Sequence, residues 1–227
     1  MSSRQDKLIH IFGDSFSENL WPGIICKETY LPFALHAKGG CTNDDILHSI
    51  NENLDNILEN DIVIIQTSGQ GRLNVREKVV YGDWVGKKYS QGFTDKERDI
   101  ISDWYNKFYI PSILTEDKVL NSIIHLANHI SKSNKVILWN LTKLGTYDVG
   151  NDKKERLNDN VTSSPNIPDS NLWLPLSEKG TKGWVEIIYE RGLHVSKNDY
   201  HPNKQGNEFI AHHMITAIRE DINETLL

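Results

Sequence analysis

Two short stretches of this 227-residue chain carry residues whose types and spacing suit catalysis: Gly13-Asp14-Ser15-Phe16-Ser17, and Asn198-Asp199-Tyr200-His201-Pro202-Asn203. An alcohol is a weak nucleophile until an adjacent base takes its proton and a third group orients that base. The first stretch directly follows a short apolar run. A hydroxyl at such a strand-to-helix turn stands at the carboxyl edge of a sheet, where backbone N–H groups can stabilise a developing oxyanion. A Gly-Asp-Ser alone is equally well a plain turn or a helix cap. His201, fixed by Pro202 just before the last helix and preceded two residues earlier by Asp199, has the setting of a general base whose tautomer an acid selects. The other eight histidines, His212 and His213 among them, read as ordinary polar residues. Together the two stretches meet the requirement of an alcohol nucleophile served by an oriented base.

The elements that must position them follow from hydrophobic patterning. Residues 7–12 (KLIHIF), 61–66 (DIVIIQ) and 135–141 (KVILWNL) are near-continuous apolar runs of the kind buried parallel strands show, and residues 33–37 form a weaker one. Residues 43–58 and 115–131 carry apolar side chains at helical spacing, with Thr42 or Asn43 and Thr115 available as caps. A last helix is expected over about residues 203–222. Strands alternating with helices imply a parallel sheet covered on both faces. Two stretches, 71–112 (charged and aromatic) and 145–183 (rich in Asn, Asp, Pro, Ser and Gly), break this rhythm. Both follow the carboxyl ends of expected strands, where open sheets bind ligands, so they are candidate lids or substrate walls; ordinary surface excursions are the alternative.

Composition narrows the function classes. The length suits one domain, residues 1–227. No apolar run approaches the ~18 residues of a membrane span, and the apolar stretch near the N-terminus is too short for a signal peptide, so a cytoplasmic location is expected. Cys26 and Cys41 are then expected as free thiols. A formal charge of -6 gives no reason to expect nucleic-acid or anionic-membrane binding, and favours small neutral substrates. The chain has no G-x-S-x-G, G-x-G-x-x-G or P-loop and no zinc-type Cys or His spacing, so no metal and no cofactor is implied. Cys41 is a poor nucleophile candidate because no base is suggested near it.

Taken together, GDSFS near the N-terminus, the glycine-bearing turn Gly39-Gly40-Cys41-Thr42-Asn43 and DYHPN before the C-terminal helix resemble the SGNH (GDSL) hydrolase family, in that family's order. The resemblance spans nearly the whole chain, the two insertions apart. It implies a three-layer α/β/α sandwich with a flavodoxin-like parallel sheet, an acyl-enzyme mechanism, Ser15 as nucleophile and His201 as base. It also implies an oxyanion hole formed by the Ser15 N–H and by Gly40, with Gly39 as the near alternative, and it gives Asp14 a structural role in the turn. Two departures stand out. Where the family has Gly-x-Asn-Asp after the third strand, this chain reads Ser68-Gly69-Gln70-Gly71, so Gln70 falls on the asparagine's position and Thr67 or Ser68 are alternatives. The usual Asp-x-x-His spacing would make Asn198 the acid's counterpart; Asp199 is preferred, because asparagine cannot stabilise an imidazolium.

The expected activity is cleavage of a carboxylic ester, an O-acyl or O-acetyl group on a sugar or other small molecule. An O-acyltransferase using the same triad, or a catalytically weak binding module of the same fold, are the alternatives. The partner is thus a small-molecule or carbohydrate ester; the oligomeric state is not legible.

Overall fold

The computed structural model describes residues 7–69, 72–75, 78–81, 94–104, 113–141, 172, 174 and 183–224. In chain order they form β1 (Ile9–Gly13), α1 (Trp21–Thr29), β2 (Phe33–Ala37), α2 (Asn43–Asn53) with a tight 3-10 turn at Leu54–Asn56, β3 (Ile62–Thr67), β4 (Arg72–Val75), β5 (Lys78–Tyr81), α3 (Asp95–Trp104), α4 (Ile113–Ile130), β6 (Lys135–Asn140), α5 (Trp184–Glu190), β7 (His194–Ser196), β8 (Asp199–Pro202) and α6 (Lys204–Glu224). Four strands make one parallel sheet in the order β2-β1-β3-β6. Beyond β6, the Leu138 N–H donates to Leu172 O at 2.8 Å and the Leu174 N–H donates to Leu138 O at 2.7 Å, continuing the hydrogen bonding outward.

Alternation along the strands divides the core in two. Ile9, Ile11, Ile62, Ile64, Ile137 and Trp139 pack with residues of α1, α5 and α6, while Phe12, Val63, Ile65, Val136 and Leu138 pack with α2 and α4. A one-residue slip would exchange the two sets, so the register is strongly specified. Among these apolar side chains His10 is also buried, and is satisfied by its neighbours: its Nδ1 lies 3.2 Å from His36 Nε2 and its Nε2 lies 3.3 Å from Asp61 Oδ2. The chain leaves β1 for β2 on one side and later returns to β3 on the other. That reversal puts the crevice expected of such sheets, the usual ligand position, at the carboxyl ends of β1 and β3.

The expected strands and the three long helices are all present, with shifted ends. The helix expected over 43–58 stops at Asn53, because the tight turn and the left-handed Asn60 (φ 72°) steer the chain into β3. Five features were not legible: α1, the antiparallel β4–β5 pair, α3, α5 and the antiparallel β7–β8 hairpin. The stretch 71–112 contains the antiparallel β4–β5 pair and α3; most of 145–183 lies outside the described residues. Cys26 and Cys41 are free thiols. No described helix is long and apolar enough to cross a membrane.

Candidate active site

Ser15 sits on the turn that leaves β1, and the turn is pinned from below. Asp14 is fully buried; its Oδ1 accepts the Phe16 N–H at 3.0 Å, the i to i+2 bond of an Asx turn, and also a hydrogen bond from Gln66 Nε2 on β3. The Ser17 hydroxyl donates to Gln66 Oε1 at 2.5 Å. One glutamine side chain thus holds both neighbours of the Ser15-Phe16 pair against the sheet. Gly13 is needed for this approach, since a Cβ there would lie 2.5 Å from Ser17 Oγ and 2.8 Å from the Gln66 side chain. Asp14 and Ser17 face inward, and Ser15 stays partly exposed at the crevice.

His201 arrives on β8. Its Nε2 lies 2.8 Å from Ser15 Oγ, across 186 residues of sequence, and its Nδ1 lies 2.7 Å from Asp199 Oδ1. With the carboxylate accepting from Nδ1–H, the neutral ring keeps Nε2 as the acceptor for the serine proton, an assignment read from the network. The Phe16 ring packs on the imidazole at 5.1 Å between centroids. Partial burial raises the Asp199 pKa, but hydrogen bonds from the His201 ring and backbone N–H and the imidazole's charge outweigh it, leaving the carboxyl below its ordinary value. Asn198, by contrast, is exposed in the hairpin turn, its backbone N–H donating to Ser196 Oγ at 3.3 Å. With side chains 41% and 45% exposed, His201 and Asp199 leave the site open to solvent on this side.

The glycine turn after β2 closes the other side. Gly40 has φ 80°, a left-handed conformation that favours glycine. A Cβ on Gly39 would lie 2.9 Å from Glu18 Oε2 and 3.7 Å from Ser15 Cβ, so this turn abuts the serine. It is tied to the end of β3 by Asn43, whose Oδ1 accepts the Ser68 N–H at 2.8 Å and whose Nδ2 donates to Ser68 O at 3.3 Å. The Ser68 hydroxyl donates to Cys41 O at 2.7 Å, and the Thr67 hydroxyl is buried without a hydrogen-bond partner. Gln70 lies outside the described residues. The Cys41 thiol is pushed up to about 11, first by burial and then by Asp45 and Asp14, and so stays protonated at neutral pH.

No protein-family model matches the sequence, and no curated protein matches it. Among solved structures, the psychrotrophic esterase EstA from Pseudoalteromonas sp. superposes with a TM-score of 0.51 at 12% identity, over 96% of this chain and 100% of that one. The chain has the SGNH hydrolase fold. Further structures align at lower TM-scores: a lipolytic G-D-S-L family protein from Veillonella parvula at 0.46 (12% identity, 92% and 97% covered) and a GDSL-like lipase from Bacteroides thetaiotaomicron at 0.44 (13% identity, 97% and 90% covered).

Within this SGNH fold, several residues that shape the site had not been singled out from the sequence. Gln66 is a polar residue ending an apolar run, a signal that a buried partner waits across the sheet. Phe16 gave no such signal. Asn207 did, as an amide on the inward face of α6, where it is 1% exposed. Asn43 and Ser68 had been considered only as a helix cap and as an oxyanion donor, and here they tie the glycine turn to the end of β3. Among the described residues no group of three His, Cys, Asp or Glu side chains is placed to hold a metal ion.

Proposed function

We propose that the protein is a serine hydrolase that cleaves carboxylic esters, with an O-acyl or O-acetyl group on a sugar or other small molecule as substrate. The observation that carries this reading is the continuous line from Asp199 Oδ1 through His201 to Ser15 Oγ, with separations of 2.7 and 2.8 Å, at the sheet's switch point. His201 Nε2 takes the Ser15 proton as Oγ attacks the acyl carbon, and Asp199 stabilises the imidazolium that forms. The oxyanion is held by the N–H groups of Ser15 and Gly40 and by the Gln70 amide. His201 then protonates the departing alkoxide, leaving an acyl-Ser15 ester. A water molecule, deprotonated by His201, attacks that ester, releases the acid and restores Ser15.

The openness of the His201 side supports a small acyl group on a soluble alcohol. EstA is described as an esterase with a structure inhibited by monoethylphosphonate, which makes an alkyl phosphonate the matching probe here. A binding module that had lost its base would favour a serine far from the imidazole, and the 2.8 Å contact weighs against it.

The test is hydrolysis of p-nitrophenyl acetate by the wild type and by Ser15→Ala. The expected loss is at least about 10³-fold in kcat, the scale of removing a triad member. Unchanged turnover in a folded Ser15→Ala variant overturns the proposal.

A further inference from the structure

Helix α1 begins without a cap of its own: Leu20 occupies the cap position and contributes no side-chain hydrogen bond to the first turn. The missing acceptor comes from a residue nearly two hundred positions away. Asn207 Oδ1, on the first turns of α6, accepts the Leu20 N–H at 2.9 Å and the Trp21 N–H at 3.0 Å. The other end of the same amide meets the backbone that follows the histidine. Asn207 Nδ2 donates to Pro202 O at 3.0 Å, to Asn203 O at 2.9 Å and to Asn19 Oδ1 at 3.2 Å. Two backbone donors on one end and two carbonyls on the other fix which end of the amide is oxygen.

Each end is one step from a triad residue. Pro202 directly follows His201. Trp21, held at its backbone by Asn207, donates its indole N–H to Phe16 O at 2.7 Å, and Phe16 directly follows Ser15. A planar amide has no internal freedom to lengthen or shorten, so it sets the separation of the two chain segments it joins. The Asp199–His201 pair, in contrast, lies within three residues of one strand and needs no help from Asn207. The Ser15–His201 contact is assembled from the two ends of the chain, so its length depends on what joins those ends.

We infer that Asn207 is a positioning residue for the reaction: a buried amide that holds the Ser15 turn and the His201 turn in register, and so sets the Ser15 Oγ to His201 Nε2 distance. The inference rests on the serine-hydrolase reading above. A misplacement of about 1 Å between reacting groups costs on the order of 10²-fold in rate. The effect belongs in kcat and in the reactivity of Ser15, because Asn207 is buried and does not face the crevice.

The test compares wild type with Asn207→Ala and with Asn207→Asp, which retains an acceptor for Leu20 and Trp21 but cannot donate to Pro202. Each is assayed below its measured Tm for kcat and KM on p-nitrophenyl acetate, for the rate of Ser15 labelling by an alkyl fluorophosphonate, and for the low-field NMR signal of the His201 Nδ1–H. The expected result in both variants is a fall of about 10- to 100-fold in kcat and in labelling rate, with KM little changed and the Nδ1–H signal kept. Wild-type kcat in either folded variant overturns the inference. So does loss of the Nδ1–H signal in step with activity, which marks general unfolding of the histidine turn. Ser15→Ala, run alongside, separates the two levels. If it remains active the hydrolase reading falls and takes this inference with it; if it is inactive while Asn207→Ala is fully active, only this inference falls.

Discussion

Asp199 and His201 stand on one short strand with a single residue between them, so both side chains project to the same face and Asp199 Oδ1 meets the His201 ring Nδ1 at 2.7 Å and its backbone N–H at 3.0 Å. The alternation of a strand thus accounts for an acid two residues before the histidine, while Asn198 falls in the exposed turn. Replacing the carboxylate by an amide removes the charge that stabilises the imidazolium. Asp199→Asn is expected to lower kcat for p-nitrophenyl acetate by about 10²- to 10⁴-fold, and Asn198→Ala to leave it near wild type. The reverse pattern would transfer the acid's role to position 198.

How much of this was legible follows from which contacts are local. The strand at 61–66 announced itself because burial on both faces leaves an apolar run, and the Gly13-Asp14-Ser15 turn because its residues need a special backbone. The antiparallel β7–β8 hairpin escaped because its strands span only three and four residues, too few for a period to register. Helix α1 escaped for a different reason: it is nine residues long, has a glycine in its first turn beside the favourable Pro22, and takes its cap from distant Asn207 rather than from a local side chain. Gln66 was visible as a residue and invisible as a contact, since its meaning depends on Asp14 and Ser17 arriving across the sheet.

That contact makes the next prediction. Gln66→Leu keeps the volume of the strand end but removes one of the donors to buried Asp14 and the acceptor for Ser17. Leaving buried polar groups unmatched costs about 1–3 kcal/mol, and each kcal/mol is about 2–4 °C of Tm in a chain of this size. Thermal unfolding should show that loss, with kcat falling as the Ser15 turn loosens. An unaltered Tm would mean that the Asp14–Gln66–Ser17 network contributes nothing to stability.

The Gly40 turn supplies a third. An alanine at φ 80° is strained by about 1–2 kcal/mol, and relief by backbone rotation would turn the Gly40 N–H away from its present direction. Gly40→Ala is expected to lower Tm by several degrees and kcat by about 10²-fold, the scale of losing one oxyanion donor. A stable variant with full activity would remove Gly40 from the proposed oxyanion hole.

Cys41 adjoins the same turn, and its thiol, pushed up to about 11, should behave as an inert side chain. Iodoacetamide at pH 7.5 should label it slowly, and Cys41→Ser should retain wild-type turnover. Rapid inactivation by iodoacetamide that Cys41→Ser abolishes would instead mark a reactive thiol at the site.

Two partly buried histidines, His36 and His213, predict how stability varies with pH. Burial first, and the neighbouring His10 second, lower the His36 pKa from its ordinary 6.5. The folded chain therefore resists a proton that the unfolded chain accepts, so the neutral ring's contribution is complete above about pH 6.5 and is lost as pH falls through that value toward the folded one. His213 is lowered in the same direction by burial, His212 and Arg191, and adds to the same slope. Asp199 acts later: its carboxyl lies below the ordinary 3.8, so its pairing with His201 contributes above that value and is lost only as pH falls through the lowered one. Wild-type Tm should therefore decline from pH 7.5 to 5.5. His36→Phe, which can keep the stacking on Phe12 but cannot be protonated, should show a shallower decline over that interval, and adding His213→Phe should flatten it further. Equal slopes in all three proteins would move the origin of the acid sensitivity away from these two rings.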